Sequence, residues 1–227
     1  AIARDISELE AQRRQLRRQN EQLEEFAGIV SHDLRNPLAT ARSGVELARR
    51  TGEGVDDSLE RVDRAHDRME TLIDELLALA RNGRTIDEGE FEPTDLSAVA
   101  ARAWDLSSTG RAELRVQDDG TIVADRSRLQ QLFENLFRNA AEHGGEGVTV
   151  RVGMLSEGFY VEDDGPGIPE ADREEIFELG YTTREGGTGF GMGIVRNIAD
   201  AHGWEITITD SADGGARFEL TGTKKRL

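Results

Sequence analysis

The sequence predicts an α+β chain in two parts: a coiled coil and helical hairpin, then an α/β sandwich. The hairpin is expected to become a four-helix bundle in the dimer. Three observations carry this reading. Apolar residues recur at helical spacing over roughly the first third of the chain. A Gly- and Pro-containing stretch (Gly83, Arg84, Gly89, Pro93) then interrupts the pattern. Beyond it, short alternating runs with strand spacing mix with helical segments.

Taken in order, Ile2, Leu9, Leu16, Leu23 and Val30 recur every seventh residue, and Ile6, Arg13, Asn20, Ala27 and Leu34 form a second seam between them. This 3–4 spacing is that of a coiled coil, and Arg13 and Asn20 at core positions favour a dimer in one register over maximal stability. Residues 1–25 are therefore read as a signalling coiled-coil helix. The helical pattern continues from Phe26 to about Arg50, breaks at Thr51-Gly52-Glu53-Gly54, and resumes with Leu59, Val62, Met69, Leu72, Ile73, Leu76 and Leu79. Asn82-Gly83 makes a good helix end. Residues 26–83 thus form an αα-hairpin, too thin to bury its own apolar stripe, so two copies should pair.

Residues 84–94 are expected to be a linker, and 95–227 a second domain. There a helix follows Asp95, and strands are expected at Ala112–Val116 and Thr121–Ala124, with a helix over Ser127–His143. Further strands are expected at Val148–Leu155 and Phe159–Glu162. A loop over 164–187 leads to a helix over 188–201 and strands at Trp204–Asp210 and Ala216–Gly222, with antiparallel pairing throughout.

Charge narrows the function. Asp and Glu number 45 against 28 Lys and Arg, a formal charge of −17, and Lys224 and Lys225 are the only lysines. Such a field repels nucleic acid. It suits molar salt, where the screening length falls to about 3 Å and self-repulsion costs little. The chain has no cysteine, which excludes disulfides, thiolate metal sites and Cys nucleophiles. No apolar run reaches membrane-spanning length and no signal peptide is visible, so no membrane contact and a cytoplasmic location are expected.

Four short constellations carry chemistry. Asp163-Asp164-Gly165-Pro166-Gly167-Ile168 follows a strand. Its two glycines permit a tight turn with close backbone approach to a ligand, and Asp163 offers an acceptor-only carboxylate to an exocyclic amine. Gly187-Thr188-Gly189-Phe190-Gly191-Met192-Gly193 opens a helix, where free N–H groups and the dipole suit phosphate; alone, it is a weak signal. A dinucleotide-binding fold would need this run early in a βαβ unit, and it lies late in the chain. Asn135 and Asn139 stand four apart on one helix face. They are either plain surface amides or, facing a nucleotide, hard oxygen ligands for Mg²⁺. Finally, Leu34 and Leu38 are placed inside the bundle, leaving His32 and Asn36 on the outward face. A lone exposed His is ordinarily just solvated, but Asp33 beside it can accept the Nδ1 proton and leave Nε2 nucleophilic. Pro37 should bend this helix.

In order, Ser31-His32-Asp33-Leu34-Arg35-Asn36-Pro37-Leu38, then Asn135-Leu136-Phe137-Arg138-Asn139-Ala140, then the Asp163 turn, then the glycine run resemble the histidine, asparagine and two glycine boxes of two-component sensor histidine kinases, over about residues 5–222. Arg4-Asp5-Ile6-Ser7 also looks like the exit of a PAS sensor domain, so the chain reads as a fragment. Its acidic, Arg-rich, Lys-poor character is similar to that of haloarchaeal kinases.

The resemblance implies ATP and Mg²⁺ as cofactors, with His32 as phospho-acceptor and Asp33 as its general base. Asn139, with Asn135, would hold the ion; Asp163 would bind the adenine amine; Gly165 and Gly167 would shape the pocket floor. Gly187, Thr188, Gly189, Gly191 and Gly193 would form the hinge and phosphate end of a lid over 168–187, and Phe177 would be a lid-packing aromatic. It also implies a homodimer, a response-regulator receiver as acceptor and an upstream PAS-like domain. Through the Asp33-x-x-Asn36 pattern, it implies phosphatase action on the receiver. One departure stands out: Glu142 lies where the family often carries a phosphate-meeting base, and His143 or Arg184 would have to compensate. Two rival readings remain: a related ATPase of the chaperone or mismatch-repair type, and a non-catalytic dimerising relay. His66 and His202 need no role beyond solvation or packing.

Overall fold

The computed structural model describes residues 27, 28, 30–50, 55–82, 86, 88–107, 109–183 and 187–223. The coiled-coil expectation for 1–25 and the role suggested for Arg184 lie outside them. The chain divides into two compact units, one ending at Asp74 and one beginning at Glu75.

In the first unit, helix α1 (residues 30–50) runs through Pro37 without interruption. Helix α2 (Val55–Asn82) opens with Asp56 and Asp57 in its first turn, complementing the helix dipole. Pro37, Ala41 and Gly44 are buried on α1, and Ser58, Ala65 and Leu72 on α2. A Cβ on Gly44 would lie 3.0 Å from both the Ser58 carbonyl and a Val62 methyl, so the helices approach closely there. Several larger residues stay outside: Leu38 is 60% exposed, Leu59 50% and Ile73 49%. Leu38, expected inside a bundle of two hairpins, is exposed in the single hairpin, which has no second layer to cover it.

In the second unit, β1 (Glu92–Asp95) pairs antiparallel with β3 (Thr121–Ala124). Part of the expected linker is therefore a strand: Pro93 sits in a two-stranded ribbon, an edge setting that tolerates a missing donor. The Asp95 carboxylate accepts from the Ala98 amide and caps α3 (Leu96–Leu106). A five-stranded sheet has the order β2-β4-β5-β7-β6. Its strands are β2 (Glu113–Val116), β4 (Thr149–Leu155), β5 (Gly158–Asp163), β6 (Glu205–Asp210) and β7 (Ala216–Thr221). All pairs are antiparallel except β2 with β4, where uniform antiparallel pairing was expected. The β3–α4 excursion between them is long enough for a crossover, which periodicity alone does not distinguish from a hairpin.

Helix α4 (Arg126–His143) is capped by Asp125, which accepts from the Ser127 and Arg128 amides. Leu129, Leu132, Phe133, Leu136 and Phe137 face the core. There the rings form a chain: Trp104 stands edge-on to Phe137, which stacks on Phe133; Phe133 meets Phe159 of β5, and Phe159 meets Trp204. Helix α5 (Gly191–His202) ends at Gly203 in the left-handed conformation, with φ 71°. His202 pins three elements. It stacks on Trp204, its Nδ1–H donates to the Ile198 carbonyl, and its Nε2 accepts from the Asp125 amide. Burial pushes its pKa down. On β5, Tyr160 lies over its cross-strand partner Gly153, and the Arg217 guanidinium sits 3.7 Å from the ring centroid. Glu162, nearly buried, is held by Arg217 at 2.6 Å, with Arg151 at 4.0 Å.

Candidate functional site

The second unit carries a cleft of about 290 Å³. One wall is the α4 face bearing Asn135, Arg138, Asn139, Glu142 and His143. The turn Pro166–Pro169 also lines the cleft, as do Tyr181, Thr182, Thr183, Gly187, Thr188, Gly189, Gly191 and Met192. Three of the four sequence constellations thus contribute to one cavity. The expected 164–187 loop is not wholly irregular: it holds two single-turn 3₁₀ segments, Glu170–Asp172 and Glu175–Phe177. Arg173 ties it to the sheet, donating to the Ile168 and Ile208 carbonyls and pairing with Asp210.

The glycines differ in what they do. Gly167 (φ 75°) and Gly189 (φ 71°) are left-handed, and both lie against backbone: a Cβ would come within 2.9 Å of the Gly214 carbonyl at the first and 2.7 Å of the Gly180 Cα at the second. Gly180 also donates its amide to the Gly189 carbonyl, at 3.1 Å. Gly191 opens α5 behind Phe190, whose side chain makes no capping hydrogen bond, so among the described residues the first-turn amides of α5 have no N-cap side-chain acceptor. A Cβ on Gly191 would lie 3.2 Å from Asn135 Oδ1. Gly193 does not line the cleft; it is buried and permits Leu179 to close on α5. Phe177 packs under the Arg196 guanidinium.

The two asparagines are inequivalent. Asn135 is buried, its Nδ2 donating to the Gln131 carbonyl at 2.8 Å and its Oδ1 accepting from Arg138. Asn139 is half-buried, lines the cleft and has no side-chain hydrogen bond among the described residues.

Asp163 and Gly165 do not line the cleft either. The Asp163 carboxylate is 7% exposed and accepts from the amides of Gly165 (2.9 Å) and Ala216 (3.2 Å). Burial pushes its pKa up, against the pull of those two amides. Its carbonyl accepts from the Ser211 hydroxyl, which itself accepts from the Gly215 amide. Gly165 leaves room for Gly144 at the end of α4: a Cβ would sit 2.7 Å from the Gly144 Cα. Sequence reasoning missed Ser211, Gly215 and Ala216, because no motif marks a polar brace contributed from the β6–β7 turn.

His32, Asp33 and Asn36 lie in the first unit, on α1. The His32 side chain is 73% exposed and its Nδ1 is 3.0 Å from Asp33 Oδ1. A carboxylate only accepts, so Nδ1 donates, and in the neutral ring Nε2 is the nitrogen that keeps its lone pair. Asn36 is exposed one turn on.

Residues 22–85 match the His Kinase A (phospho-acceptor) domain, and residues 124–225 match the histidine kinase-, DNA gyrase B-, and HSP90-like ATPase. The chain belongs to the sensor histidine kinase family. Among curated relatives it is 34% identical over 207 residues to the "Probable sensor histidine kinase TcrY" of Mycobacterium tuberculosis, covering 82% of this chain and 43% of that protein. It is 30% identical over 236 residues to sporulation kinase A of Bacillus subtilis, covering 99% and 39%. The chain therefore spans less than half of these relatives' length. Its fold is that of full-length ShkA in complex with AMPPNP (TM-score 0.61, 24% identity, 89% of this chain and 46% of that one) and of the Acinetobacter baumannii histidine kinase AdeS (TM-score 0.61, 19% identity, 84% and 97%). Among the described residues of this sensor histidine kinase chain, no helix is long and apolar enough to cross a membrane.

Proposed function

We propose that this chain is a sensor histidine kinase core that transfers the γ-phosphoryl group of ATP to Nε2 of His32 and passes it on to an aspartate of a response-regulator receiver. The observation that carries the reading is the exposed His32 ring with its Nδ1 engaged by Asp33. In the transfer, the bond between the γ-phosphorus and the bridging oxygen breaks, a P–N bond forms at Nε2, and ADP takes the bridging electrons. The imidazole ring becomes cationic until Nδ1 passes its proton to Asp33 or water. Because the loose transition state needs positioning and charge neutralisation, the protein supplies mainly those. The uncapped α5 amides suit phosphate oxygens. The unengaged Asn139 amide fits a hard cation, and no cluster of three or more His, Cys, Asp or Glu that could hold an ion alone exists among the described residues. A magnesium ion held by Asn139 with the phosphates would neutralise the triphosphate; Asn135, already engaged by Arg138, would support Asn139 from behind. Asp163 would accept the adenine amine.

Pairing of two hairpins through the exposed apolar residues of α1 and α2 would complete a four-helix bundle, with a coiled coil and a PAS-like domain upstream and the core in the cytoplasm. Asn36 would orient a water for dephosphorylating the receiver; Asn36→Ala should keep autophosphorylation and lose phosphatase activity, read by receiver dephosphorylation with ADP present. The decisive experiment is incubation with γ-phosphate-labelled ATP in molar salt. Acid-labile, base-stable label on wild type and none on His32→Gln is expected; equal label on both overturns the reading.

A further inference from the structure

The cleft wall is poor in positive charge for a site that takes a triphosphate. Glu75, Glu142 and Asp172 face it, and Arg138 is the one guanidinium among its described lining residues, with His143 the only other basic group. Glu142 stands where a phosphate-meeting base is expected, so Coulomb repulsion from that position must be offset by another cation. Arg138 is well placed. Its side chain is 37% exposed, and it donates to Asn135 Oδ1 and, at 3.1 Å, to Glu75 Oε1. Glu75, in the same unit, is buried to 6%. One nitrogen therefore serves two acceptors at the edge of the cavity, while the guanidinium has further N–H groups to offer.

We infer that Arg138 is the phosphate-binding cation of this kinase, taking the role that Glu142 vacates, and that Glu75 holds it in reserve until nucleotide competes for it. Two consequences follow, both resting on the ATP-binding reading above. A guanidinium recognises phosphate oxygens and is indifferent to the base, so its contribution rises from adenosine through ADP to ATP. The Glu75 carboxylate competes with phosphate for the same N–H groups, so neutralising it favours nucleotide.

The test is calorimetric binding of adenosine, ADP and ATP to the intact chain and its variants, with autophosphorylation kinetics alongside. Arg138→Gln should weaken ATP binding roughly 10- to 100-fold, the usual effect of losing a charge-assisted contact, and leave adenosine binding unchanged. Arg138→Lys should restore part of the ATP affinity, which a purely structural role would not predict. Glu75→Gln should tighten ATP binding a few-fold in wild type and have no effect once Arg138 is Gln. In kinetics, the loss in Arg138→Gln should fall mainly on KM. Equal losses for adenosine and ATP, or unchanged ATP affinity in Arg138→Gln, overturn the inference while leaving the kinase reading intact. Failure of wild type to bind ATP overturns that reading and this one with it.

Discussion

In the reading proposed above, Asp163 would add a binding duty to the folding duty that its hydrogen bonds show. Its Oδ1 is occupied by two backbone amides, and burial disfavours its charge. In the Asp163→Asn variant the amide oxygen still accepts both N–H groups, and the desolvation penalty of the anion disappears. Stability at pH 7 should therefore be kept or rise. The amide nitrogen, however, turns a donor toward an exocyclic amine, and ATP affinity should fall by about 10- to 100-fold, read by calorimetry beside thermal melting. His202 makes the opposite demand. Both ring nitrogens are committed in the neutral form, and burial lowers its pKa from 6.5. Its contribution to stability is complete above the unfolded-state value and is lost as pH falls through 6.5 toward the lowered folded value. His202→Ala should cost about 2 kcal/mol at pH 8 and flatten the loss of stability below pH 6.5, measured by denaturant titration. The sequence left His202 to solvation or packing, and only the fold brings the Asp125 amide to it.

At the scale of elements, helices and strands of the second domain were largely legible. The α4 face, the β4–β5 pair and the β6–β7 pair each carry a clean period bounded by Gly or Asp, and their observed limits fall within a few residues of those expected. What failed was context. The ribbon strand Glu92–Asp95 carries Pro93 and acidic residues, poor strand formers held there by pairing with Thr121–Ala124. The parallel β2–β4 pairing depends on connection path, to which alternation is blind. One glycine box was legible as a turn and the other as a helix opening, yet their glycines do different work. Gly189 is the demanding one, left-handed and pressed against Gly180. Gly189→Ala should strain the backbone by about 1–3 kcal/mol and push the 3₁₀ segment off α5. The expected result is weaker ATP binding and faster proteolysis within the loop after Gly167, followed by limited trypsinolysis with and without nucleotide.

For the whole molecule, the charge dominates. With a net −17, repulsion among carboxylates opposes compaction, while Arg42, Arg64 and Arg115 pair with acids on the surface. Screening should relieve more repulsion than it weakens surface pairs. The melting temperature is expected to rise between 0.1 and 2 M salt, followed by circular dichroism; a flat or falling profile would exclude adaptation to high salt.

The contact at Gly44 bears on how far the helical hairpin can vary. Where α1 passes α2, the closest approach is governed by a hydrogen atom instead of interlocking side chains. Position 44 consequently works as a spacer of fixed thickness. A methyl there would ask the Ser58 carbonyl and Val62 to retreat by a few tenths of an ångström, and a branched side chain would act as a wedge, splaying the pair and resetting every contact further along both axes.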